Sequence, residues 1–175
     1  MNRLTTVICL LALVSFTSCS GISVETDFDP EVDFSIYKTY KWVDHIEDSQ
    51  KGMMRDPLIK KHVLSAANRE LAEKGLVPAG NSMPDLLIAF HIGTEKKIDV
   101  DHYYYGYGRR GYWRGRDVRV HQYREGTLII DIVDGKNKEL VWRGWAKGVL
   151  HGREDAPDYV EESATRILKR FPPDK

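Results

Sequence analysis

Two apolar stretches near the end of the chain, Gly126–Val133 (G-T-L-I-I-D-I-V) and Glu139–Leu150 (E-L-V-W-R-G-W-A-K-G-V-L), flank Asp134-Gly135-Lys136-Asn137-Lys138. A short polar turn containing glycine between two strand-forming runs predicts a β-hairpin. Pro84-Asp85 opens a third strand, Leu86–Ile98. In it Leu86, Ile88, Phe90 and Ile92 share one face while Leu87 and Ala89 start the other, the pattern of a central strand covered on one side. Val24–Asp29 reads as a short strand stopped by Asp29-Pro30. Phe34–Trp42 reads as another, with Phe34, Ile36, Tyr40 and Trp42 on one parity and Ser35, Thr39 and Lys41 on the other.

Two segments carry the helical period instead. Asp56-Pro57 supplies an N-cap and a proline for the first turn, and Gly75 supplies the stop. Between them Ile59, Val63, Ala66, Ala67 and Leu71 form an apolar stripe, while Lys60, Lys61, Arg69, Glu70, Glu73 and Lys74 fall mostly elsewhere. Pro157–Phe171 repeats the design with Val160, Ala164, Ile167, Leu168 and Phe171, ended by Pro172-Pro173. Helices separated by a run of hairpin-connected strands predict an α+β two-layer sandwich, a mostly antiparallel sheet with both helices packed on one face.

The beginning of the chain reads as an address. Arg3 is followed by an apolar run, Val7–Val14, and then by Ser15, Thr17, Ser18 and Cys19. That run is far short of the ~20 residues a spanning helix needs and has the charged start and small-residue exit of a secretory signal. Residues 1–18 are therefore expected to be removed, and residues 19–175 to form a single domain. Cys9 would go with the signal, leaving Cys19 with no disulfide partner. Phe16-Thr17-Ser18-Cys19 resembles a bacterial lipobox, with Phe16 where leucine is usual, and this implies that Cys19 becomes the acylated first residue. Two or more acyl chains hold a protein firmly on a bilayer, at ~0.8 kcal/mol per buried CH₂. Ser20 after the cysteine resembles the outer-membrane sorting signal, which implies an outer-membrane lipoprotein of the cell envelope without fixing the periplasmic or the surface face.

The chain carries 26 Lys+Arg against 26 Asp+Glu, a balance that argues against a nucleic-acid partner. Nine Tyr, four Trp and five Phe argue for a packed domain and against disorder. The most unusual stretch is His102–Arg124, with six Tyr, one Trp, six Arg and four Gly. It is expected to be a mobile inter-strand loop at the surface, soluble through its Tyr and Arg or touching lipid headgroups. Its Tyr103, Tyr105, Tyr107, Arg109, Arg110, Tyr112, Trp113 and Arg114 also suit a partner or ligand surface, since arginine pairs with anions and aromatics stack on sugars. Gly106-Tyr107-Gly108 has no strand before it and no helix after it, so it is not a phosphate-binding loop.

Other chemistry is weakly supported. The six histidines (His45, His62, His91, His102, His121 and His151) form no metal-binding spacing, and Asp99, Asp101 and His102 alternate along a strand. No cofactor and no metal are expected. His91 reads as a half-buried, hydrogen-bonded residue. Asp131, in I-I-D-I-V, would titrate high if buried but is expected on the solvated side of the sheet. Trp142 and Trp145 have opposite strand parity, so one should face the helices and the other the open side.

Several stretches together resemble the DUF4136 family of bacterial lipoproteins. They are Val24–Asp29 (V-E-T-D-F-D), Asp33–Trp42 (D-F-S-I-Y-K-T-Y-K-W), Lys74-Gly75-Leu76, Pro84–Ile88 (P-D-L-L-I), Leu140–Gly144 (L-V-W-R-G) and Phe171-Pro172-Pro173. The resemblance implies an outer-membrane or periplasmic lipoprotein with a small α+β domain, and it brings no reaction or catalytic residue. The expected function is therefore non-catalytic: an acyl-anchored envelope lipoprotein whose domain binds or supports another envelope component. The alternatives are a glycan- or polyanion-binding module using residues 102–124, and an envelope hydrolase. The expected partners are the membrane, through the anchor, and an envelope protein or glycan.

Overall fold

The computed structural model describes residues 21–43, 56–103, 117–152 and 154–173, with their side chains except those of residues 96, 98–103 and 117–123. In chain order the elements are β1 (Ser23–Phe28), one 3₁₀ turn (Phe34–Ile36), β2 (Thr39–Trp42), α1 (Pro57–Glu73), β3 (Val77–Pro78), β4 (Leu86–Tyr103), β5 (Asp117–Asp134), β6 (Leu140–Leu150) and α2 (Ala156–Leu168). The strands form one six-stranded sheet in the order β1-β6-β5-β4-β2-β3. Pairing is antiparallel except where β2 runs parallel to β3 and β4. A parallel β2–β4 pair needs a crossover, and α1 lies in that connection.

The helices form where the apolar stripes and caps require. The Asp56 carboxylate accepts from Leu58 N at 2.9 Å, Pro57 opens α1, and Gly75, at φ 78°, closes it in the left-handed conformation that glycine adopts at no steric cost. Ile59, Val63, Ala66, Ala67 and Leu71 are all buried, and so is Glu70, which the periodicity placed with the solvated residues. In α2, Val160, Ala164, Ile167 and Leu168 are fully buried and Phe171 packs just beyond the helix end. The helices pack on each other and on one face of the sheet, where Leu86, Ile88, Phe90, Ile92, Leu128, Ile130, Ile132, Trp142 and Ala146 meet them in one core. Asn68 of α1 accepts from the Tyr40 hydroxyl at 2.9 Å and from Trp42 Nε1 at 2.8 Å, which ties the helix to β2. This is the expected α+β arrangement, a mixed sheet with its helices on one side.

Two expectations need correction. Phe34–Trp42 is not one strand, because Asp33 accepts from both the backbone N (3.1 Å) and the hydroxyl (2.8 Å) of Ser35 and winds a 3₁₀ turn first. That local side-chain bond overrides the alternation. Phe34 drops into the core, edge-on to Phe171 at 5.6 Å, while Ile36 is left exposed. The second correction concerns His102–Arg124. β4 continues past Ile98 to Tyr103, and β5 begins at Asp117, with Tyr103 opposite Asp117 and Thr94 opposite Gly126. Once buried rungs such as Phe90↔Ile130 fix the register, each further rung satisfies backbone groups without needing an apolar pattern. Residues 117–124 therefore belong to the ladder and not to a loop.

Candidate functional site: the uncovered sheet face and the Asp85 joint

Alternate residues of each strand point away from the helices and leave one face of the sheet without a covering layer among the described residues. Cross-strand register sets its centre. Asp131 of β5 stands opposite Arg143 of β6 and Ala89 of β4, and Ile129 stands opposite Trp145 and His91. Arg143 grips Asp131 with two hydrogen bonds, Nε to Oδ1 at 2.5 Å and Nη2 to Oδ2 at 2.8 Å, and His91 Nε2 lies 3.7 Å from Oδ2. This fork geometry is the strong form of a carboxylate–guanidinium pair. The Asp131 bond raises the Arg143 pKa above its ordinary value against the opposing pull of burial, and the charges of Asp131 and Asp27 add to it. Asp131 is itself only 6% exposed, because the arginine lies over it. Trp145 and Ile129 are half-buried beside this group, with Glu25, Asp27 and Lys147 exposed around them.

A second concave feature lies at the β3–β4 end. It is an open cleft of about 410 Å³ lined by Ile36, Tyr37, Met83, Pro84, Asp85, Asp134 and Lys136. Its two carboxylates are occupied internally. Asp85 Oδ2 accepts from Lys38 N (3.0 Å), Thr39 N (2.8 Å) and Thr39 Oγ1 (2.9 Å). Asp134 Oδ1 accepts from Lys136 N (2.7 Å) and Asn137 N (2.9 Å), and Oδ2 accepts from the Tyr37 hydroxyl at 2.9 Å. These bonds hold both carboxyl groups below their ordinary pKa, led by the Lys38 N–H for Asp85 and the Asn137 N–H for Asp134. Burial, then the bond to Asp134, pushes the Tyr37 phenol up to about 12. Gly135 donates to the Asp85 carbonyl at 2.7 Å, and a side chain on it would run into the carbonyl of Pro84. The left-handed residue of this turn is Lys138, at φ 65°, so Gly135 is required by close approach and not by turn conformation.

The DUF4136 family signature, a domain of unknown function, matches residues 24–173. The chain belongs to the DUF4136 family. The joint just described lies within that match and brings Asp33–Trp42 against Pro84–Ile88, so in this DUF4136 domain they act as one structural clasp. Among solved structures, a PDZ domain protein from Parabacteroides distasonis superposes with a TM-score of 0.58 at 17% identity over 88% of this chain, a likeness of fold. The chain spans 37% of the length of that protein. A PelC chain from Paraburkholderia phytofirmans, solved as a dodecamer, gives a TM-score of 0.48 at 13% identity, covering 84% of this chain and 94% of its own. No curated protein matches the chain.

Of the residues singled out in the sequence, Cys19 and Tyr105, Tyr107, Arg109, Arg110, Tyr112, Trp113 and Arg114 lie outside the described residues. Tyr103 is the last residue of β4, and nothing further is described of its side chain. His91 and Asp131 come together on the open face, and Arg143, which the sequence reading passed over, is their partner. Trp145 takes the open face and Trp142 the core. Among the described residues no group of three or more His, Cys, Asp or Glu is placed to hold a metal ion.

Proposed function

We propose that this DUF4136 domain is a non-catalytic lipoprotein module of the cell envelope, anchored through Cys19, that docks an envelope protein on its uncovered sheet face. The observation that carries this reading is the composition of the face. Trp145 and Ile129 occupy adjoining strands at its centre, and acids (Glu25, Asp27) alternate across the register with bases (Arg143, Lys147). An aromatic centre inside a rim of mixed charge suits a protein partner, whereas a polyanion asks for a field of one sign. Asp131, the acid best placed for chemistry, is held by both Arg143 bonds and is not free to act as a base. The signal-like start and Phe16-Thr17-Ser18-Cys19 support the anchor and an outer-membrane address.

Two measurements test the proposal. Cys19→Ala should abolish lipid attachment and processing at this site, and a variant that still fractionates as a processed, detergent-extractable membrane protein refutes the anchor. Membranes crosslinked in the presence of the wild-type chain should yield a protein adduct that Trp145→Ala reduces about tenfold, the loss expected when a central aromatic is truncated. An adduct indifferent to Trp145, or a shift on polysaccharide gels in place of an adduct, refutes the docking face.

A further inference from the structure

The two outer strands of the sheet are built differently. β3 is two residues long, and one of them is Pro78, which has no N–H to offer a further strand. β1 is six residues long, contains no proline, and among the described residues pairs only with β6. The ladder shows which of its backbone groups are left over. Asp29 N donates to the Val141 carbonyl at 3.0 Å, on the same register that sets Asp27 opposite Arg143 and Glu25 opposite Trp145. Antiparallel bonding alternates along a strand, so these odd-numbered residues bond to β6 while Val24, Thr26 and Phe28 turn their N–H and C=O groups outward. Phe28 N agrees with this direction, since it donates to the Asp27 side chain (Oδ1, 3.0 Å) and not to β6. The outward groups of Val24 and Thr26 are a template for one more strand.

The side chains along this edge select what that strand carries. Glu25 and Asp27 stand exposed on the uncovered face and are the only charged residues of β1. Arg143 and Lys147, the bases on the same face of β6, lie one strand farther in. An added strand would hold its own open-face residues ~5 Å from both carboxylates, where opposite charges attract and like charges repel. On the other face β1 presents Val24, Thr26 and Phe28, and Phe28 is 40% exposed although its ring meets Phe34 edge-on at 6.4 Å. An apolar residue on that face of the added strand covers the ring. A second copy of this chain does not meet these terms. When two β1 edges overlap in full about a two-fold axis, the Glu25 and Asp27 carboxylates of one copy stand against those of the other. We infer that the β1 edge takes an extended protein segment that alternates basic and apolar residues, bound by backbone pairing as a seventh strand of the sheet. The inference goes beyond docking on the sheet face, since it requires neither Trp145 nor the anchor.

The test uses the full chain in phosphatidylcholine nanodiscs and a fluorescein-labelled peptide, Lys-Val-Lys-Val-Lys-Val-Lys, followed by anisotropy against empty discs. The peptide should bind saturably, and less tightly as salt is raised. Two further peptides carry N-methyl groups on the valines alone or on the lysines alone. A paired strand turns only alternate N–H groups toward its neighbour, so one version should weaken about tenfold and the other should stay within about twofold. The double variant Glu25→Lys, Asp27→Lys should lose the lysine peptide and gain its Glu-Val counterpart, with circular dichroism unchanged. Thr26→Pro, which deletes one outward N–H on an edge where proline is tolerated, should weaken the lysine peptide about tenfold. No saturable binding to the wild type, equal binding of the two methylated versions, or an unchanged affinity in the charge-reversed chain overturns the inference. A full-chain dimer that sedimentation detects in detergent and that Thr26→Pro abolishes gives the edge to a second copy, and overturns it as well.

Discussion

Asp85 offers the sharpest perturbation of this fold, because one carboxylate oxygen joins the start of β2 to the start of β4. In Asp85→Ala the N–H groups of Lys38 and Thr39 and the hydroxyl of Thr39 lose a charged acceptor. Each hydrogen bond to a charged group is worth ~1.5–3 kcal/mol, but Lys38 is exposed and Asp85 and Thr39 are half-buried, so water replaces part of the loss. The expected cost is about 2–3 kcal/mol for the set, well below the sum of three such bonds. Urea unfolding at neutral pH should show a lower midpoint at unchanged slope. A Thr39→Val partner should make the pair non-additive, since both residues serve the same clasp.

The same carboxylate makes a pH prediction whose sign follows from its bonds. Its folded pKa lies below the ordinary 3.8, so its stabilisation is full above that value and is lost as pH falls through the folded one. The gap between wild type and Asp85→Asn should therefore be widest near neutrality and should narrow in acid, below about pH 4. A midpoint shift worth less than ~0.5 kcal/mol, or a gap that stays constant into acid, would refute the claim that this carboxylate clasps the two strands.

Three further outcomes are expected. Gly144→Ala places a methyl against the Trp142 ring and 2.5 Å from Ile167 Cγ2, which should cost about 1–3 kcal/mol in chemical denaturation, partly relieved by Ile167→Ala in the same chain. Tyr37 and Tyr159 have phenols pushed up to about 12, Tyr159 mainly by burial. The folded state holds these protons longer than the unfolded chain, so stability should be intact below pH 10 and fall between about 10 and 12, with Tyr37→Phe and Tyr159→Phe each removing one late step from the phenolate absorbance titration. Arg143→Met strands the nearly buried Asp131 carboxylate and should cost about 2–3 kcal/mol in urea, whereas adding Asp131→Leu should recover most of the loss.

Helix periodicity and caps were readable from the chain because both are local. Ile59, Val63, Ala67 and Leu71 repeat every four residues, and Asp56, Pro57 and Gly75 act on their own turns. Alternation was less secure, since at Phe34 a single Asp33 side chain bonded two residues ahead replaced a strand with a 3₁₀ turn. The outer rungs of β4 and β5 were passed over although Ile98 and Val100 alternate with Asp99 and Asp101, and Val118 and Val120 flank Arg119, because the Tyr, Gly and Arg run between them reads as a loop. Asp85 and Asp134 were invisible as a joint for a different reason. The partners that make the joint, Thr39 for Asp85 and Tyr37 for Asp134, lie 46 and 97 residues away, and nothing in the composition of Pro84-Asp85 marks a donor at Thr39 or Tyr37.

The open face turned on one residue that no pattern announces. At the turn end of the hairpin Val133 pairs with Leu140, and if that register continued, Ile132 would face Val141 and Asp131 would face Trp142. The register instead slips between Ile132 and Val133, so that Ile132 pairs with Trp142 and Asp131 with Arg143. A bulge of one residue exchanges the faces of every later side chain in β6. Without it Trp142 would stand on the open face and Trp145 would enter the core, and Arg143 would point at the helices with no carboxylate beside it. The bulge therefore decides which tryptophan enters the core and which stands on the open face. It also explains why Gly144 follows: the exchanged face brings this position under the Trp142 ring and Ile167, where only a residue without a side chain fits. The sequence L-V-W-R-G thus sets which β6 residues reach the open face through its insertion of Val141, which is itself buried.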